Sequence, residues 1–113
     1  LLPNYAWYQV NGDGHTWPVA KLKPNDYGLF DMQGNSIEWV YDAFSDYLSS
    51  AENVADGPIS ATISETRSRV MRGGSFYSQS LNLRSAQRLG NQPGSRLNNL
   101  VGFRPARTYR LSP

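Results

Sequence analysis

Ten glycines and seven prolines spread through 113 residues are the tightest constraint on what this chain can fold into. Proline breaks helix interiors and central strands, and glycine weakens both, so this punctuation favours many short strands and turns over long helices. The aromatic share is high, with Trp7, Trp17, Trp39 and seven tyrosines available for a core. A chain of this length fits one small domain with a thin stability margin.

The local patterns agree. Residues 5–10 alternate aromatic and smaller side chains and read as a strand ending in Asn11-Gly12-Asp13-Gly14, a run suited to positive φ. Residues 16–23 read as extended and residues 24–28 as a turn. Residues 37–41 have the β-branched and aromatic content of a buried strand. Residues 45–65 are polar and read as a surface loop with a helical turn at 47–53. Residues 70–76 predict a strand whose Gly73-Gly74 pair permits a bulge. Two further strands are expected at 83–89 and 100–107, separated by a turn at 91–95.

Several chemistries are excluded for these residues. With no cysteine there is no disulfide, thiol nucleophile or thiolate metal site. No apolar run approaches the roughly 20 residues of a membrane span, and residues 1–4 lack the charged-then-apolar plan of a signal peptide. No membrane partner is therefore expected, and redox chemistry leaves the compartment open. His15 is the one histidine and lies in a turn; no G-x-S-x-G elbow or Walker-type glycine loop occurs. The net charge of +2 hides two halves of opposite sign, since all nine acids lie between Asp13 and Glu65 and nine of the eleven bases from Arg67 onward. These later bases are all arginines, singly spaced. They are expected to pair within the domain, with Asp31, Glu38 or Asp42 meeting Arg72, Arg84, Arg88 or Arg104, and nucleic acid is not the expected partner.

Three segments, in order, carry a resemblance. They are Pro24-Asn25-Asp26-Tyr27-Gly28-Leu29-Phe30-Asp31-Met32-Gln33-Gly34-Asn35-Ser36-Ile37-Glu38-Trp39, then Arg72-Gly73-Gly74-Ser75-Phe76, then Gly102-Phe103-Arg104. They resemble the PNxxGLYDMxGNxxEW, RGGSW and GFR signatures of the formylglycine-generating enzyme (sulfatase-modifying factor) family. Asn4-Tyr5-Ala6-Trp7-Tyr8, Arg84-Ser85-Ala86-Gln87-Arg88 and Pro93 also fall at familiar spacing. The resemblance implies an α+β, C-type-lectin-like fold, loop-rich with short antiparallel strands. It also implies that residues 1–113 are the C-terminal part of one such domain, whose missing N-terminal part is then a candidate partner.

In the family's oxidases two cysteines after RGGSW bind copper; here the corresponding stretch includes Ser78 and Ser80 and has no thiol. Serine neither ionises near neutral pH nor serves as a soft copper ligand, so formylglycine formation is not expected of these residues. Family members hold Ca²⁺ near the GNxxE turn. By position that implicates Gly34, Ser36 and above all Asn35 and Glu38, with a second place around Asn4, Tyr5 and Asp13. The alternative is that Asn35 and Glu38 hydrogen-bond loop backbone.

The stretch between Arg72 and Arg104 is also similar to the variable region of proteins diversified by retroelements, in which adenine-specific mutagenesis rewrites Asn codons. Phe76, Tyr77, Ser78, Ser80, Leu81, Asn82, Leu89, Gly90, Asn91, Leu97, Asn98 and Asn99 obey that substitution rule, whereas Gln79, Gln87 and Gln92 do not. This resemblance implies a noncatalytic ligand-binding display module facing a protein or other surface ligand, at the cell surface or secreted. Tyrosine among small polar residues is the composition of adaptable recognition surfaces. The alternative is a noncatalytic relative of the oxidases whose site needs another half or a partner.

Overall fold

The computed structural model describes residues 1–45, 64–95 and 99–107. The helical turn expected at 47–53 and most of the loop expected at 45–65 lie outside these residues.

The residues that close the GNxxEW run begin a central strand. β1 (Ile37–Ala43) carries Ile37, Trp39, Val40 and Tyr41, side chains that fit a pleated surface. It pairs antiparallel with β2 (Arg69–Arg72), Glu38 opposite Arg72 and Trp39 opposite Met71, with a register shift before Ala43 meets Arg69. β3 (Leu89–Asn91) pairs antiparallel with β2, and β4 (Val101–Gly102) lies beside β1, giving the order β3-β2-β1-β4. Two 3-10 helices, Leu2–Asn4 and Ser80–Leu83, are the helical segments among the described residues. No helix among them is long and apolar enough to cross a membrane.

Four expectations are corrected. β4 runs parallel to β1, with Ile37 opposite Val101 and Glu38 opposite Gly102, so the sheet is not wholly antiparallel. Its entry is fixed by Leu100, whose carbonyl accepts from both the Ile37 N–H at 2.9 Å and Ser36 Oγ at 3.1 Å. β4 stops after two residues, and 103–107 are unpaired rather than a strand.

Residues 5–10 form turns instead of a strand, because Asn11 supplies local partners. Its Oδ1 accepts from the Tyr8 N–H at 3.0 Å and its Nδ2 donates to the Ala6 carbonyl at 3.1 Å, which offers this backbone an alternative to a ladder. The pairing that survives there is a single parallel bridge from Trp7 to Gly34. Likewise 83–89 begins in the second 3-10 helix and a turn closed by the Gln87 N–H on the Arg84 carbonyl, so the strand starts only at Leu89.

The core is small. Ala6, Tyr8 and Leu83 pack together with Leu2 against them, and Ile37, Ala43, Val70, Met71 and Phe76 are also buried. The turn residues 5–12 are thereby clamped onto the segment that follows β2.

Candidate functional site

That segment is built from its glycine pair. Gly73 and Gly74 both adopt positive φ, 89° and 72°, which turns the chain out of β2. A Cβ at Gly74 would come within 2.5 Å of Leu83 Cδ2, so the position admits no larger residue without moving Leu83. Ser75 is buried and makes a tight turn: its N–H donates to Ser78 Oγ at 2.9 Å, and the Ser78 N–H donates to its carbonyl at 2.9 Å. The Gln9 N–H reaches the Ser78 carbonyl at 3.1 Å and the Phe76 N–H reaches the Asn35 carbonyl at 3.0 Å. The turn is thus tied to two other parts of the scaffold.

The following side chains divide between buried anchors and exposed positions. Phe76 and Leu83 are each 1% exposed, while Tyr77 and Leu81 are 61% and 63% exposed. Ser80 and Asn82 are exposed as well, as is Gln79. Phe76 is therefore a core residue, which corrects its place among the recognition residues: its aromatic body fills the interior beneath Tyr77, the two rings 4.9 Å apart. Ser78 is half-buried with its hydroxyl committed to Ser75, so it supports the surface more than it offers contact.

Topology decides the rest. The register sets Ile37 beside Val101, Glu38 beside Arg72 and Met71 beside Leu89, so the starts of β1, β3 and β4 and the end of β2 share one end of the sheet. Tyr77 to Asn82 leave from that end, Leu89 (46% exposed) enters β3 there, and exposed Asn99 precedes β4 there. Asn91 pairs with Arg69 at the other end, and its Oδ1 accepts from the Gln92 N–H and Ser95 Oγ, both at 2.8 Å. It is a turn-forming residue, apart from the rest. Gly90 is held by close approach, since a Cβ there would meet the Phe44 ring at 2.4 Å. Leu97 and Asn98 lie outside the described residues.

Two neighbours of this surface were not expected from the sequence. Gln79 was set aside by the codon rule, yet it stands exposed among the residues expected to bind a ligand. Gly14 was read only as part of a turn, yet Tyr77 Oη lies 3.8 Å from where its Cβ would be. No sequence signal links residues so far apart; the packing of Gly12 against Phe76 and the Gln9–Ser78 hydrogen bond bring them together.

The arginines behave as expected of internal ties. Arg72 donates to the Ser85 carbonyl and Arg88 to the Ser45 carbonyl, each at 2.9 Å, and the Arg88 guanidinium lies over the Phe44 ring. Arg69 is buried and donates to the Tyr41 carbonyl while lying over that ring. Arg104 makes an ion pair with Glu38 at 2.9 Å, the expected bridge between the acidic and basic halves. The hydrogen bond to Glu38 raises the Arg104 guanidinium above its ordinary pKa against the opposing effect of burial.

Asn35 and Glu38 do not fit a calcium site in this arrangement. Asn35 is 6% exposed, and its Oδ1 and Nδ2 are both engaged by the Trp17 backbone, at 2.8 and 3.0 Å. Both Glu38 oxygens are engaged by Arg104. Among the described residues no group of three or more histidine, aspartate or glutamate side chains is gathered where it could hold a metal ion.

Comparison with known proteins extends these observations. Residues 2–109 match the family described as the sulfatase-modifying factor enzyme 1-like domain. Over 107 residues the chain is 40% identical to the formylglycine-generating enzyme of Streptomyces coelicolor, covering 88% of this chain and 32% of that protein. Over 95 residues it is 38% identical to the Bos taurus formylglycine-generating enzyme, covering 80% and 24%. It is also 38% identical over 96 residues to the serine/threonine-protein kinase pkn1 of Chlamydia caviae, covering 81% and 15%. Among solved structures, Treponema denticola variable protein 1 matches with a TM-score of 0.72 and 36% identity, over 90% of this chain and 35% of that one. The chain thus spans less than a third of the length of these curated relatives. By family match, motifs and shared fold, it belongs to the sulfatase-modifying factor enzyme 1-like family, that of the formylglycine-generating enzymes.

Proposed function

We propose that this chain is a noncatalytic ligand-binding module of C-type-lectin-like fold, which presents an exchangeable face as retroelement-diversified variable proteins do. The observation that carries this reading is the segment between Phe76 and Leu83: two fully buried anchors bracket Tyr77, Gln79, Ser80, Leu81 and Asn82, all exposed. Such a segment can change its outward side chains while the scaffold stays fixed, as recognition loops on rigid frameworks do. Leu89 and Asn99 extend the face from the same end of the sheet. The likeness to Treponema denticola variable protein 1 supports the same reading. Tyr77 supplies contact area at low entropy cost, and the small polar residues supply adaptable hydrogen bonding, which suits a protein surface as ligand.

The other reading, a noncatalytic relative of the oxidases, draws on the identity to formylglycine-generating enzymes. Sequencing this gene across many cells of one population, with its surroundings, separates the two. Display predicts substitutions at adenines in the codons for residues 77, 78, 80–82, 89 and 97–99, none in those for 72–75, 79, 84–86 and 102–104, and a reverse transcriptase gene with a near-copy repeat nearby. Uniform codons within a metabolic gene cluster would favour the enzyme relative.

A further inference from the structure

The oxygens that a hard cation would need are gathered beside the GNxxE turn, and a side chain already holds them. The main-chain carbonyls of Phe30 and Asp31 and both carboxylate oxygens of Glu38 converge on the Arg104 guanidinium. Nη1 donates to Phe30 O at 3.0 Å, and Nη2 donates to Asp31 O and Glu38 Oε1, both at 2.9 Å. Nε donates to Glu38 Oε2 at 3.0 Å and Oε1 at 3.2 Å. Calcium takes about six to eight oxygens of this kind at roughly 2.3–2.6 Å. A guanidinium satisfies a similar set differently, with a permanent positive charge and a planar fork of donors spread over several acceptors.

The other side chain most expected to ligate at this turn is turned elsewhere. Asn35 sits at φ 63° with its amide locked onto the Trp17 backbone, Oδ1 accepting from the N–H and Nδ2 donating to the carbonyl. A divalent ion approaching the Glu38 carboxylate would have to displace Arg104 or sit beside it, and two adjacent cations repel strongly where solvent screening is incomplete. We propose that Arg104 is the resident cation of this oxygen cage, so that the GNxxE turn of this chain is closed by a guanidinium and takes no calcium. The turn then carries its own counter-charge, independent of the metal supply. This inference does not depend on the display function.

Calorimetric titration of the folded chain with CaCl₂, together with thermal unfolding in millimolar CaCl₂ and in EDTA, tests it. The expected result is no saturable binding that depends on Glu38 and melting temperatures agreeing within about 1 °C, because a ligand held by the native state would raise the midpoint by mass action. Saturable calcium binding that Glu38→Gln abolishes, with a midpoint that rises with calcium, would overturn the proposal; binding that survives Glu38→Gln leaves the cage to Arg104 and supports it. Arg104→Met strips the guanidinium from the four oxygens and should make folding or melting temperature calcium-dependent where the parent chain is not. An equal calcium response in both chains would count against it. Should Arg104→Met fail to fold under every condition, the titration of the parent chain with its Glu38→Gln control still decides.

Discussion

Asn35 and Trp17, 18 residues apart, exchange two hydrogen bonds in which a side-chain amide replaces a neighbouring strand: Oδ1 accepts the Trp17 N–H at 2.8 Å, and Nδ2 donates to the Trp17 carbonyl at 3.0 Å. The same residue's N–H reaches the Trp7 carbonyl at 2.7 Å, and its carbonyl receives the Phe76 N–H. One asparagine therefore joins the stacked Trp7–Trp17 pair, whose rings lie 4.5 Å apart, to the exposed segment that follows Phe76.

Asn35→Ala should destabilise the chain by about 3 kcal/mol in urea unfolding, from two lost hydrogen bonds and because alanine, without a polar side chain to bond locally, tolerates positive φ less well than asparagine. Asn35→Gly relieves the strain alone and should recover about 1 kcal/mol of that. Equal losses in the two variants would mean that the hydrogen bonds carry the whole effect.

Gly34→Ala should abolish cooperative unfolding. A Cβ there would lie 2.1 Å from the Trp7 carbonyl oxygen, at φ 75°, and the obstructing atom is backbone that cannot swing aside. A normal melting transition in this variant would contradict the close Trp7–Gly34 bridge.

The anchors and the displayed residues should separate sharply in stability. Phe76→Ala should cost about 3–5 kcal/mol and Leu83→Ala about 2–5 kcal/mol, as for other fully buried side chains. Ser80→Ala, Leu81→Ala and Asn82→Ala should each stay within about 0.5 kcal/mol of the parent. Urea midpoints at constant m-value are the measurement.

The isolated chain, incubated with copper and a sulfatase-type cysteine peptide, should produce no aldehyde detectable by mass spectrometry. The sequence has no thiol, and Ser78 Oγ, near the expected cysteine positions, is occupied in accepting the Ser75 N–H. Detectable formylglycine would end the noncatalytic reading.

Local chemistry was legible in the sequence where one residue type had one outcome. The strand from Ile37, the Asn25 turn whose side-chain oxygen accepts the Tyr27 and Leu29 N–H groups, and the positive φ of Asp13 and Gly14 all follow from that. The Arg104–Glu38 pair was legible as one of several combinations, because charge segregation limits partners but cannot choose among four arginines. The parallel entry of β4 was not legible, since it rests on the Leu100 carbonyl meeting residues more than 60 positions away. The inward turn of Phe76 was equally hidden: two glycines at positive φ reset the alternation that would say which face it takes. The split of Asn91 from Tyr77 depends on strand direction, which composition does not encode.

The central claim is that the face around Tyr77 to Asn82 and Leu89 can be rewritten on a fixed scaffold to bind a protein surface. A library randomised at Tyr77, Gln79, Ser80, Leu81, Asn82 and Leu89, displayed and selected against lysozyme as probe, measures this directly. A matching library at the exposed turn residues Asp26, Tyr27 and Leu29 serves as control. The account predicts folded, saturable lysozyme binders from the first library, with binding lost when the selected residues are reverted, and few or none from the control. Equal yields from the two libraries, or binders from the first library only among unfolded clones, would contradict it.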